Sequence, residues 1–349
     1  MQAMGNSIST HPTYKPGTLD RVMFESRALA GNRLGDPPLR PLHVYLPPGY
    51  HDEPGRRYPA VLMLSSHGNT GQSMLNWRAW DESVNQQLDR LIGSAACPPC
   101  IMIIPDTWTR LGGALHVNSI AIGNYGDYLL DEIIPYVDAH YRTLPGGAHR
   151  GIMGRSSGGY AAIVHAMQRP GMFGAVADHS GDAYFEFMAM PEIARLHTNL
   201  MRYGGLDGLL EDALKNTPKS QAFYDAVSIL TWAATHAPNP EEPHGFDLPI
   251  DMQTGALRED VWQRCLQADP VRMVSQGAYV SALRNLKELF IDCGQFDEYN
   301  LQVGARLLSR ELTRLSIPHT YEEYPGGHRG THYRYDVSLP RLVNALSEK

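Results

Sequence analysis

The sequence predicts an α/β fold: a mostly parallel central sheet, helices on both faces, and an inserted helical cap. Three observations carry this. Short, wholly apolar runs end at turn residues, as strands buried on both faces do. Segments of helical periodicity alternate with those runs, which implies right-handed βαβ units. Finally, the alternation lapses near residue 184 and resumes only about residue 285.

The first twenty residues are polar and turn-rich and are expected to form an N-terminal arm, with the domain proper over 21–349. Strand-like segments follow at Val22–Leu29 and Pro41–Leu46, the second closing on Pro47-Pro48-Gly49-Tyr50. Ala60–Leu64 is apolar throughout and predicts a buried strand. After the loop His67-Gly68-Asn69-Thr70-Gly71, a helix is expected over Trp77–Leu91, then a strand at Ile101–Ile104. In the next helix, Gly126–Tyr141, the residues Leu129, Leu130, Ile133, Ile134 and Val137 share a face. A strand at Arg150–Met153 leads through Gly154-Arg155-Ser156-Ser157-Gly158-Gly159 into a helix, Tyr160–Gln168, which Pro170-Gly171 ends. Val176-Ala177 is the next strand. The region 184–285 is helical in pattern, with a proline-rich connector at 237–243. Beyond it come a strand at Leu286–Asp292, a helix over Leu301–Leu315, a strand at His319–Glu323 and a closing helix at Leu339–Leu346.

The bulk properties narrow the function. Across 349 residues the apolar fraction is 43% and the charged fraction 19%, which fits a large buried core. A net charge of −7 without a basic cluster argues against nucleic acid or anionic membrane as partner. No run approaches the ~20 apolar residues of a membrane span, and no signal-like start is visible, so cytoplasm is the default expectation. The sequence does not choose between monomer and homodimer. Cys97-Pro98-Pro99-Cys100 has redox spacing but runs into a strand rather than opening a helix, so a loop with two thiols or an incidental disulfide is expected.

The chemistry concentrates at strand ends. Gly154-Arg155-Ser156-Ser157-Gly158 lies between a strand and a helix, the setting in which a strained turn thrusts a serine hydroxyl outward. A free hydroxyl is a poor nucleophile and needs a base. His328, in the loop Tyr324-Pro325-Gly326-Gly327-His328 after the last strand, fills that role, with His332 as rival. A carboxylate to orient the imidazole follows the preceding strand: Asp297 is preferred, with Asp292 and Glu298 as alternatives. The order Ser, acid, His suits acyl transfer on such a sheet. The oxyanion would be met by the main-chain N–H groups of Ser157 and Asn69. His67, Trp77 and Trp232 are weaker expectations for substrate contact, and Met188 and Met190 would add an adaptable wall if they face the site. His328 and His332 have i, i+4 spacing, but no carboxylate lies between them and Gly330 does, so no metal is expected.

On these residues the chain resembles the Putative esterase family, which includes esterase D (S-formylglutathione hydrolase), feruloyl and enterochelin esterases and mycolyltransferases. The resemblance rests on Val44–Tyr50, Ser66-His67-Gly68, Gly154–Gly159, Asp292–Asp297 and Gly326-Gly327-His328. It implies an α/β-hydrolase fold without cofactor, with catalytic positions at Ser156, Asp297 and His328. The expected activity is hydrolysis of small or medium carboxylic esters through an acyl-enzyme. Thioester hydrolysis or acyl transfer by the same residues is the alternative, and a non-catalytic binding protein on this scaffold is a third reading. Arg155 departs from the family, which often has His, Glu or Tyr there, and the 184–285 insertion is long, so substrate preference does not carry over.

Overall fold

The computed structural model describes residues 14–77 and 79–347. Among these, eight strands form one sheet. They are β1 (Thr18–Glu25), β2 (Leu39–Leu46), β3 (Ala60–Leu64), β4 (Ile101–Pro105), β5 (Arg150–Arg155), β6 (Ala175–His179), β7 (Glu288–Gly294) and β8 (Thr320–Tyr324). The spatial order is β1-β2-β4-β3-β5-β6-β7-β8. β2 runs antiparallel to both β1 and β4, and every other pairing is parallel. Most of the expected arm lies outside the described residues, but β1 already begins at Thr18, so the sheet starts within the segment read as arm.

The apolar strands alternate between two cores. Leu62, Leu64, Ile101, Ile103, Ile152, Val176, Leu289 and Ile291 face one side. Val61, Met63, Met102, Ile104, Met153, Ala177 and Phe290 face the other. This is the period of two expected of a pleated strand, with apolar residues on both faces because both are covered. Helices α1 (Val84–Gly93) and α10 (Tyr335–Ser347) cover the second face. The first is covered by α2 (Ile134–His140), α3 (Ser157–Gln168) and α9 (Leu301–Arg314).

Several boundaries differ from expectation for local reasons. The helix expected over Trp77–Leu91 begins only at Val84, because Ser83 and Gln86 form a capping box there. The helix expected over Gly126–Tyr141 is present, but its stretch Tyr128–Ile133 is π-helical. The last helix starts early, at Tyr335, and carries Pro340 inside.

Between β6 and β7 the chain is helical. It runs through α4 (Met190–Met201), α5 (Leu206–Ala213), α6 (Gln221–His236), α7 (Glu259–Leu266) and α8 (Gly277–Arg284), among short helical turns. α4 packs on α6, and α8 returns to pack on α3. Leu196, Leu200, Phe223, Val227, Leu230, Trp232 and Trp262 join the same apolar cluster as the first face of the sheet. The insertion therefore shares the main core.

The candidate active site

Ser156 stands between β5 and α3 with φ 57° and ψ −126°, a strained conformation for a side chain with a Cβ. The glycines around it permit the turn. A Cβ on Gly154 would come within 2.4 Å of the Gly158 carbonyl carbon, and one on Gly158 within 2.6 Å of the Leu64 carbonyl oxygen. Only bare backbone allows β5, α3 and the end of β3 to approach this closely. The Ser156 N–H is fixed by the His179 carbonyl at 2.9 Å.

The acid and the base come from adjacent loops stitched together by main-chain bonds. Gln295 N–H donates to the Tyr324 carbonyl and Phe296 N–H to the Gly326 carbonyl, both at 2.9 Å. Within this pair of loops, His328 Nδ1 lies 2.8 Å from Asp297 Oδ2. The Asp297 side chain is fully buried and its other oxygen accepts from Tyr299 N–H at 2.9 Å. The Tyr299 ring meets the imidazole edge-on, centroids 4.9 Å apart. With Nδ1 held by the carboxylate, Nε2 is the imidazole nitrogen left for chemistry.

Ser156 and His328 line one cavity of about 500 Å³, with Ser66, His67, Gly68, Asn69, Arg155 and Asp182 on the sheet side. Met188, Glu192, Tyr224 and Trp232 line it from the insertion. Asp182 is not among the residues that the sequence singles out, although Ser180-Gly181-Asp182 follows the end of β6 as the Asp297 loop follows β7. Burial, reinforced by the nearby Asp297 charge, pushes its carboxyl up to about 7.

The two carboxylates that rivalled Asp297 have other employment. Asp292 is buried on β7, where Oδ1 bonds His179 Nδ1 at 2.7 Å and Oδ2 accepts from Arg334 Nε at 2.7 Å. His179 Nε2 in turn meets Ser338 Oγ at 2.8 Å. This is a second Ser-His-Asp line, with all three side chains buried where α10, which carries Ser338, covers the sheet. Glu298 accepts from the His328 main-chain N–H at 2.5 Å instead of from its ring. The rival base His332 lies apart from the Asp297–His328 pair, its Nδ1 3.9 Å from Asp81 Oδ2. Among the described residues no group of three or more His, Cys, Asp or Glu is placed to hold a metal ion.

The expected oxyanion donors differ in standing. Ser157 opens α3, where a helix leaves its first N–H groups without intrahelical partners. The Asn69 N–H, by contrast, closes a turn onto the Ser66 carbonyl at 3.0 Å. Its neighbours are engaged too: Gly68 N–H by the Gly112 carbonyl at 2.7 Å, and His67 N–H by Ser157 Oγ at 2.9 Å. All three N–H groups of the loop are thus engaged, one within the loop and two by Gly112 and Ser157, which sequence alone does not reveal.

The weaker expectations divide. Trp232 and His67 line the cavity. The His67 ring is locked, with Nε2 2.7 Å from the Leu111 carbonyl and 3.2 Å from Thr231 Oγ1, and burial lowers its basicity. Trp77 does not line the cavity: it is 68% exposed, because the chain is irregular between the helical turn Gly71–Met74 and α1. Met188 lines the cavity, whereas Met190 packs against the core. Cys97 and Cys100 are free buried thiols, so the disulfide alternative does not hold; a hydrogen bond with Cys97, together with burial, pushes the Cys100 thiol up.

The sheet order, the strained serine at the end of β5 and the strand-end loops define an α/β-hydrolase. The family model described as "Putative esterase" matches residues 38–341, and the chain belongs to that family. It is similar to Esterase Rv1288 of Mycobacterium tuberculosis, 25% identical over 330 residues, which cover 88% of this chain and 58% of that protein. The chain thus spans little more than half the length of this curated relative. Among solved structures, a ferulic acid esterase superposes with a TM-score of 0.59 at 17% identity, covering 95% of this chain and all of that one. An S-formylglutathione hydrolase from Agrobacterium tumefaciens gives 0.58 at 16% identity, covering 97% and 99%. No helix among the described residues is long and apolar enough to cross a membrane.

Proposed function

We propose that the protein is a serine carboxylesterase acting on small or medium carboxylic esters through an acyl-enzyme, with Ser156, His328 and Asp297 as its triad. One observation carries the reading: the buried Asp297–His328 pair presents its imidazole to the same cavity as the strained Ser156. His328 Nε2 takes the Ser156 proton as Oγ bonds to the ester carbonyl carbon. The same proton passes to the departing alcohol as the carbon–oxygen bond breaks. Water then repeats the sequence on the acyl-enzyme, and the freed acid leaves. Asp297 orients the ring and stabilises its charged form.

The Ser157 N–H supplies one donor to the oxyanion. The 66–69 loop supplies the second, from Asn69 if its turn to Ser66 opens as the carbonyl arrives. Each such donor contributes about 3 kcal/mol to lowering the barrier.

The cavity takes a modest acyl or alcohol group against Trp232 and Met188. Ser156→Ala, assayed on a short-chain chromogenic ester and with a fluorophosphonate probe, is expected to lose both turnover and labelling while remaining folded. Labelling or turnover at the wild-type level in that variant would remove Ser156 from the reaction. An acyl-chain and leaving-group series that includes S-acylglutathione and added acceptor alcohols separates ester from thioester hydrolysis and from acyl transfer.

A further inference from the structure

Arg155 precedes the nucleophile and has no part in the chemistry above, yet its side chain enters the cavity. Its guanidinium makes two divergent bonds. Nη1 donates to the main-chain carbonyl of His328 at 2.6 Å, and Nη2 donates to Ser66 Oγ at 3.2 Å. Among the described residues Arg155 forms no ion pair, so these acceptors, a carbonyl and a hydroxyl, are what fix it.

The main chain of His328 is held on both sides of its Cα. Glu298 Oε2 takes its N–H at 2.5 Å and Arg155 takes its carbonyl. Asp297 holds the ring. On the other side, Ser66 Oγ also accepts from Asn69 Nδ2 at 2.9 Å, which places the Arg155 contact within the loop proposed to meet the oxyanion. Ser157, the other neighbour of the nucleophile, braces that loop as well by accepting the His67 N–H. Both residues flanking Ser156 therefore reach the 66–69 loop, and only Arg155 also reaches the base loop.

Resting on the esterase reading, we infer that Arg155 is a positioning residue that clamps the general-base loop to the oxyanion loop and so fixes both relative to Ser156. The planar guanidinium suits this task because it offers several donors at fixed angles on one rigid group. A lysine at this position satisfies one acceptor at a time. Misplacing a reacting group by about 1 Å costs on the order of 100-fold in rate, so the clamp acts on kcat more than on KM.

The test compares Arg155→Met, Arg155→Lys and Arg155→Ala with the wild type by ester kinetics, urea unfolding and amide hydrogen exchange. Arg155→Met is expected to lower kcat by roughly 10- to 100-fold with KM within about threefold. Amides of both the 66–69 and 326–330 segments should exchange faster in it. Arg155→Lys should fall between Met and wild type, and millimolar methylguanidinium should restore part of the Arg155→Ala rate. A kcat for Arg155→Met within twofold of wild type overturns the clamp, as does unchanged exchange in both segments. So does a loss of rate that follows the urea midpoint and shows neither lysine intermediacy nor methylguanidinium rescue. The exchange measurement needs no turnover: a wild-type protein that neither cleaves esters nor takes the fluorophosphonate sinks the esterase reading, while loop exchange still decides the clamp.

Discussion

The molecule holds two buried Asp–His pairs on neighbouring strand ends, and they make a sharp experiment. Asp297→Asn and Asp292→Asn are nearly isosteric changes, each removing one carboxylate charge. At position 297 the asparagine can satisfy Tyr299 N–H with its oxygen, but its amide then faces His328 Nδ1 and favours the wrong tautomer. In serine hydrolases of this logic that error costs about 10⁴ in kcat, or roughly 5.5 kcal/mol of barrier. Stability should change little, because the loop keeps its main-chain bonds to the 324–326 segment.

At position 292 the oxygen can still serve His179, but the amide then meets Arg334 Nε, donor against donor. Breaking a buried ion pair costs about 3–5 kcal/mol. Here Arg334 keeps Glu322 at 2.6 Å, which brings the expected loss down to about 2–3 kcal/mol. Ester kinetics and urea unfolding on both variants separate the effects: a large loss of kcat with a normal midpoint for Asp297→Asn, and a lowered midpoint with kcat within a fewfold for Asp292→Asn. The reverse pattern would show that Asp292 orients the working base, and the assignment of the acid would have to be abandoned.

Two further predictions concern pH and stability. Asp178 is buried with Oδ1 unpartnered, and burial, aided by the Asp292 charge, pushes its carboxyl up to about 7. The unfolded carboxyl releases its proton near 3.8, so the folded state loses relative stability as pH rises from about 4 to 7. Asp178→Asn should therefore be more stable than wild type at pH 8, by about 2–4 kcal/mol, and indistinguishable at pH 4, as read from urea midpoints. An equal difference at both pH values would refute the linkage.

His236 has the opposite sign. It is packed among Phe185, Trp232 and Tyr160 with Nε2 unpartnered, and burial lowers its pKa to about 3. The unfolded imidazole takes its proton below about 6.5 while the folded one does not, so stability is lost as pH falls from 6.5 toward 3. His236→Phe should relieve about 2–3 kcal/mol of that loss at pH 4 and leave stability at pH 8 nearly unchanged. An acid transition unmoved by the substitution would show that the proton is taken up elsewhere, His116 and His165 being buried histidines held near 4.

Much of this was legible in the chain. Ala60–Leu64 and Ile101–Ile104 announce strands because a strand covered on both faces has no reason to alternate, and both runs form buried strands here. Gly154 and Gly158 declare a turn without room for side chains, and the clashes a Cβ would meet there bear this out. The Asp297–His328 pair follows from the strand ends, because loops at one edge of a parallel sheet gather in space. The start of α1 is not legible, because Trp77 and Trp80 extend the apolar spacing of Val84, Leu88 and Leu91, while the cap at Ser83 sets the boundary.

Other features belong to the tertiary structure alone. Asp292 and Asp297 are five residues apart and equally acidic as sequence. Asp292 lies on β7 and Asp297 in the loop beyond it, and the neighbours that the sheet brings to each place send one to His179 and Arg334 and the other to His328. Whether the Asn69 N–H is free depends on a turn between main-chain atoms, which no side chain encodes. Arg155 reads as an oddity beside the nucleophile until the 66–69 and 326–328 loops arrive from distant parts of the chain to meet its two bonds. Local patterns of polarity and bulk thus determined the strands, the helices and the strained serine, because those depend on near neighbours. The partners of each polar group were decided by where the finished sheet brought its loops together, since hydrogen bonds are satisfied across space rather than along the chain.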